Sequence, residues 1–178
     1  MNEAHDNTTS GPRSPMRLLP MAVILTLALA GIGAVTASAK PAAPKPAVPF
    51  TASVAGTLTP TGPGIFALAG TGQASHLGNV KSYRALVQIT GGDLVNGPIT
   101  NTLTETLTAA DGDTVTILCN QVANPVSPGS PVLNGTDTWT VIGGTGRFRN
   151  ATGSGTGHTH ADLQAGTFTK ELTGSITY

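Results

Sequence analysis

Charge, aromatic rings and cysteine are all scarce in this chain of 178 residues: charged side chains make up 10%, aromatic ones 4%, and there is one cysteine. Nine Lys and Arg balance nine Asp and Glu, and the basic residues are not clustered. No field is therefore available to hold a phosphate backbone, which argues against nucleic acid as a partner. Few aromatic rings leave few stacking platforms for sugars. A lone Cys119 cannot close an intrachain disulfide. It shares a strand face with Val115 and Ile117 and reads as a small buried hydrophobe, with a reactive thiol as the alternative. The length suits one domain, and beyond the N-terminal region almost nothing repeats with the period of a helix.

What is abundant points to strands and turns. Glycine (23) and proline (13) are frequent, and threonine, whose branched side chain suits a pleated surface, recurs throughout. Phe50, Ala52, Val54, Gly56 and Leu58 alternate with Thr51, Ser53, Ala55, Thr57 and Thr59. Tyr83, Ala85, Val87 and Ile89 repeat the pattern, as do Val115, Ile117 and Cys119, then Trp139 and Val141 against Thr136, Thr138 and Thr140. In the last segment Phe168, Leu172, Ile176 and Tyr178 oppose a polar face. Turns are expected at Thr61-Gly62-Pro63-Gly64, Gly91-Gly92-Asp93, Asp111-Gly112-Asp113, Ser127-Pro128-Gly129-Ser130 and Asn134-Gly135. The expectation is an all-β fold of about eight to ten antiparallel strands with one wet side. With no helix to cover a sheet, closure into an eight-stranded or similar β-barrel hides both the apolar face and the edges; a β-sandwich is the alternative.

The N-terminal region has the pattern of an export signal. Arg13 and Arg17 precede an apolar run from Leu18 to Val35, and Ala37-Ser38-Ala39 supplies the small residues that a signal peptidase reads. A signal peptide over 1–39 is expected, with Lys40 opening the mature chain and Met16 as an alternative start, since Glu3 and Asp6 are unusual in such a region. The expected location is secreted or periplasmic, with membrane contact only if the signal stays uncleaved. Residues 40–49, rich in Pro and Ala, read as an extended spacer, and the barrel domain as 50–178.

The segment Val141-Ile142-Gly143-Gly144-Thr145-Gly146-Arg147-Phe148-Arg149-Asn150-Ala151-Thr152-Gly153 resembles the Gly-Gly-Thr-Gly-x-Phe-x-x-Ala-x-Gly signature of the dirigent and allene oxide cyclase barrels. There it forms a strand-turn-strand element, which implies a structural role for Gly143, Gly144, Gly146, Phe148 and Gly153. Most of residues 50–178 is similar to exported bacterial proteins of that barrel type, through Ala74-Ser75-His76-Leu77-Gly78, Ala110-Asp111-Gly112-Asp113-Thr114 and the ending Gly174-Ser175-Ile176-Thr177-Tyr178. The resemblance implies a fold and no activity. The catalytic segments of the cyclases and the pocket residues of the dirigent proteins have no counterpart in this chain, so no catalytic residue carries over.

Three constellations could carry chemistry. From Ile99 to Thr108 the even positions are all threonine, which places Asn101 and Glu105 on the inward face beside Leu103 and Leu107. Lys170 interrupts the apolar face of the last strand in the same way. The two charges could meet in the lumen as a polar spot for a ligand or for acid/base work, or they could sit at a barrel rim where both heads reach water. His158, His160 and Asp162 share one strand face, and with His76 the imidazoles could ligate a metal; a solvated polar face is the plainer reading, with His76 making a structural hydrogen bond. The glycine runs 143–146 and 153–157 lack the helix that a phosphate loop requires, and 111–113 lacks the ligands of a calcium loop.

No motif calls for a cofactor. The function expected is a non-enzymatic binding or envelope protein that holds a small apolar ligand in its lumen or packs with copies of itself as a homo-oligomer. The alternative is an isomerase or cyclase-like enzyme on a hydrophobic substrate.

Overall fold

The computed structural model describes residues 45–178, so the expected signal peptide and the first half of the spacer lie outside the described residues. Eight strands follow in order: β1 (Val48–Gly62), β2 (Ile65–Ala74), β3 (Gly78–Gly92), β4 (Ile99–Ala109), β5 (Thr114–Pro125), β6 (Val132–Gly144), β7 (Thr152–Asp162) and β8 (Thr167–Thr177). Each pairs antiparallel with the next, and β1 pairs with β8 to close a barrel. β1 starts within the expected spacer: Val48 and Pro49 already pair with Ile176 and Ser175.

Period-two alternation decides which side chains fill the lumen. Phe50, Ala52 and Val54 of β1, Tyr83, Ala85 and Val87 of β3, and Val115, Ile117 and Cys119 of β5 all point inward and are buried, while the threonines between them face out. Eight strands give an interior just wide enough for side chains to fill. Four of the lumen side chains are large rings. Trp139 meets the edge of Phe50 at 5.6 Å and donates its indole N–H to the Thr156 carbonyl (2.9 Å), while Tyr83 packs on Phe168 at 5.5 Å. Room for the indole comes from glycines on the facing strands, since a Cβ at Gly155 or Gly174 would stand 2.6 Å from the Trp139 ring.

The expected turns occur where glycine supplies positive φ, at Gly64, Gly92, Gly112 and Gly129. Asn134-Gly135 is a correction: it lies within β6, paired with Asn124 and Ala123. Gly135 is required there by space, because a Cβ would meet the Gln121 amide at 2.7 Å.

The two ends of the barrel are built differently. At one end, a short 3₁₀ turn (Gly146–Phe148) between β6 and β7 drives Phe148 into the opening, where it is fully buried and packs at a tilt against Tyr178, the ring centroids 4.8 Å apart. Gly146 holds φ +57°, and a Cβ there would collide with the Asp113 carboxylate. Gly144 and Gly153 lie against backbone carbonyls of Thr114 and Ser175. The glycine-rich segment is therefore an end plug, locked further by Arg147, which donates to the His76 carbonyl (2.8 Å). At the other end a smaller apolar cluster of Ile99, Ala123 and Leu133, with Ile89 and Leu163 against it, lines a shallow mouth.

Phe148→Ala should empty the plugged end and lower stability by about 3–5 kcal/mol, read as a fall in the denaturant midpoint; a shift within error would show that the plug does not close the core.

Candidate functional site

Glu105 of β4, Lys170 of β8 and Asp137 of β6 are all inward by strand parity, and the lumen brings them together. Lys170 Nζ contacts Glu105 Oε1 and lies 2.5 Å from Asp137 Oδ2. All three are buried, with 0%, 1% and 3% of Glu105, Lys170 and Asp137 exposed. The rim alternative is thereby corrected: neither head reaches water, because the barrel continues past the cluster to the Phe148 plug on one side and the mouth on the other.

Neighbouring polar groups complete the cluster. The Cys119 thiol donates to Glu105 Oε1 (3.3 Å) and lies 3.7 Å from Lys170 Nζ. Gln121 donates through Nε2 to Asp137 Oδ1 (2.6 Å) and to Thr159 Oγ1 (3.0 Å), and accepts through Oε1 from Asn101 Nδ2 (2.9 Å). Gly157 of β7 leaves the space for Asp137, since a Cβ would stand 2.9 Å from Oδ2. Among the described residues, Asn101 Oδ1, Glu105 Oε2 and Tyr83 Oη are buried with no hydrogen-bond partner. Asp137 Oδ2 has Lys170 as an ionic neighbour without the alignment of a hydrogen bond.

Electrostatics follow from burial. Burial alone pulls the Lys170 ammonium down, but Glu105, then Cys119 and Asp137, outweigh it and hold the group above its ordinary 10.5. Burial pushes the Cys119 thiol well up, the Glu105 charge adding to it. Tyr83 is likewise raised by burial first and Glu105 second.

Glu105, Cys119 and Asp137 offer ligand atoms within 4.8 Å of one another, the geometry of a cation site. Lys170 Nζ already stands among them, so the chain supplies its own cation. The histidines are not brought together. His158 and His160 are exposed on the outer face of β7, with His160 Nδ1 against Asn134 Oδ1 (2.8 Å). His76 sits at φ +66° in the β2–β3 turn, its Nε2 on the Pro49 carbonyl (2.9 Å). Pro49 pairs with Ser175 and His160 with Thr169, so β8 separates the two places by roughly 20 Å. His76 thus has the structural role that its turn suggested.

Beyond the polar cluster, toward the mouth, Leu58, Phe66, Ile89, Leu94, Leu133 and Leu163 surround a recess of about 40 Å³, with Asn101 and Gln121 in its wall. Compared with protein-family models, curated proteins and solved structures, the chain matches none.

Lys170→Met should destabilise the domain by about 3–5 kcal/mol by stranding two buried carboxyl groups; equilibrium denaturation measures it, and adding Glu105→Gln and Asp137→Asn should restore part of the loss. A pH series gives a second outcome. Cys119 and Tyr83 have folded values raised above their ordinary 9.0 and 10.0. Their contribution is therefore complete below about pH 9 and is lost as the pH climbs past those values, at about 1.4 kcal/mol per pH unit for each group. Cys119→Ala should flatten the first part of that decline.

Proposed function

We propose that the protein is an exported, non-enzymatic barrel that takes the apolar end of a small molecule into its open mouth. The observation that carries this reading is the recess itself: a ring of aliphatic side chains and Phe66 with one buried acceptor, Asn101 Oδ1, left unpaired in its wall. A pocket that is mostly apolar, with a single convergent polar atom, has the chemistry of a small-ligand site. The recess of about 40 Å³ has room for little more than a terminal branch of a molecule. A ligand would therefore anchor one end there, offer a hydroxyl or N–H to Asn101, and leave its remainder over the β3–β4 loop beside Leu94.

Export rests on the pattern of residues 13–39, and the expected cellular location follows from it. The likeness of the 141–153 segment to dirigent and allene oxide cyclase barrels supports placing the chain with exported members of that type, and the closed eight-stranded architecture is compatible with that placement. The cyclase-like reading is the weaker one, because it needs an acid or base open to substrate, whereas Glu105 is sealed and paired with Lys170.

Native mass spectrometry of the chain purified from its own host's envelope tests the proposal. A stoichiometric apolar adduct, released on denaturation and lost in Leu133→Arg but retained in the surface variant Thr104→Ala, is the expected result; a bare wild-type protein would overturn it.

A further inference from the structure

The geometry points to an intramolecular amide bond between Lys170 Nζ and Asp137 Cγ, formed by the folded chain with Glu105 as its proton carrier. The proposal is independent of ligand binding at the mouth.

The reacting atoms are adjacent. Nζ lies 2.5 Å from Asp137 Oδ2, one carbon–oxygen bond from the carbon it would attack, and the approach is not aligned as a hydrogen bond. Both side chains are fully enclosed and come from strands that are not direct neighbours, so the barrel holds them in place at high effective concentration. The carboxyl groups beside it hold Lys170 as an ammonium, so the free amine forms only as its proton passes to Glu105, a transfer that removes two charges from a dry interior.

The two carboxyl groups are not equivalent, and their surroundings assign the roles. Asp137 Oδ1 accepts from Gln121 Nε2, a fixed donor placed to stabilise negative charge on that oxygen when the carbon becomes tetrahedral. Oδ2 has no donor except the lysine and is free to leave. Glu105 Oε1 takes the Lys170 and Cys119 hydrogens, and no amide donor polarises its carboxyl group. Asp137 is therefore the acyl donor and Glu105 the base.

The step balances without any further reactant. Nζ gives a proton to Glu105, which passes it to Asp137 Oδ2, and the amine lone pair attacks Cγ of the carboxylic acid so formed, making the C–N bond. The nitrogen then gives a second proton to Glu105. Oδ2 collects that proton too, and the C–Oδ2 bond breaks to release one water. Ammonium plus carboxylate becomes amide plus water, with nothing oxidised or reduced and Glu105 restored.

Such a bond would tie β6 to β8 across β7, and trypsin digestion reads it directly. Lys170 would no longer be cleaved, and the peptide spanning 85–147, which carries Asp137, would be joined to the one spanning 150–178 at the summed mass less one water. Fragmentation of that branched peptide from the purified full chain should place the link on Asp137. Lys170→Arg and Asp137→Ala should abolish it and Glu105→Gln should block or greatly slow it, while Asp137→Asn should lose ammonia in place of water. Cleavage after Lys170 in the wild-type chain, with both peptides at their unlinked masses, would overturn the proposal, and a link to Glu105 would overturn the assignment of roles. The wild-type digest decides the matter even if a variant fails to fold.

Discussion

One ammonium held between two carboxyl groups in the middle of a closed barrel is the constraint around which the rest of this structure is arranged. A charge taken out of water is tolerated only when its partners are in place, and burying such a group costs several kcal/mol before its partners repay it. Each partner here stands on a different strand: Glu105 on β4, Asp137 on β6, Lys170 on β8. A slip of one residue in any of the three would turn its side chain to the outside and strand the others. The cluster therefore fixes strand register in a barrel where the outer face of β4, an unbroken run of threonine from Thr100 to Thr108, offers little to tell one register from the next. Hydrophobic residues of the same volume would often serve stability as well, so specificity of pairing is the more natural gain.

Glycine placement is subordinate to the same constraint. Gly157 faces Asp137 and Gly135 faces Gln121, while Gly155 and Gly174 face Trp139. At all four positions a Cβ would stand within 3.0 Å of the side chain opposite, so the small residues of β6, β7 and β8 are hollows cut to admit the large or charged groups of the lumen. The interior is packed in a complementary way, large against small, as the fixed width of eight strands demands.

Much of this was legible in the residues. Alternation located the inward faces of Phe50–Leu58, Tyr83–Ile89, Ile99–Leu107 and Phe168–Tyr178, and the same parity singled out Glu105 and Lys170 as odd members of apolar sets. Parity also applied to Asp137, flanked by Thr136 and Thr138 and two residues before Trp139, and to Gln121, two residues beyond Cys119; both signals were present and went unused. Sequence alone could not show depth. Whether an inward charge sits at a rim or at mid-barrel depends on how far the strands run past it and on what closes the ends, and those depend on the Phe148 plug and on register. Asn134-Gly135 misled for a related reason: the pair suits a tight turn by its backbone freedom, whereas this glycine serves by its lack of a side chain. The histidines misled through separation, because spacing along β7 says nothing of how far away a turn on β2–β3 will lie.

The two ends of the barrel divide its possible work. At the plugged end Phe148, Tyr178 and Arg147 close the lumen by packing and hydrogen bonding. At the mouth, aliphatic side chains stop short of filling the space, and the Asn101–Gln121 amide pair separates that recess from the charges below. Gln121 serves both sides at once: its amide oxygen holds Asn101, whose own oxygen is left for the recess, and its N–H bonds fix the Asp137 carboxyl group. A molecule entering the mouth would thus meet a neutral wall instead of an ionic one, and the pair of amides screens the carboxyl–lysine cluster from water. Dryness is what makes that cluster costly as ions, and it is also what would drive the condensation of Lys170 with Asp137, since an amide fixes β6 against β8 while giving up one pair of buried charges and leaving the Glu105 carboxyl group with the Cys119 thiol. The feature that looks least economical in the fold is in this sense one whose chemistry would remove part of its own cost.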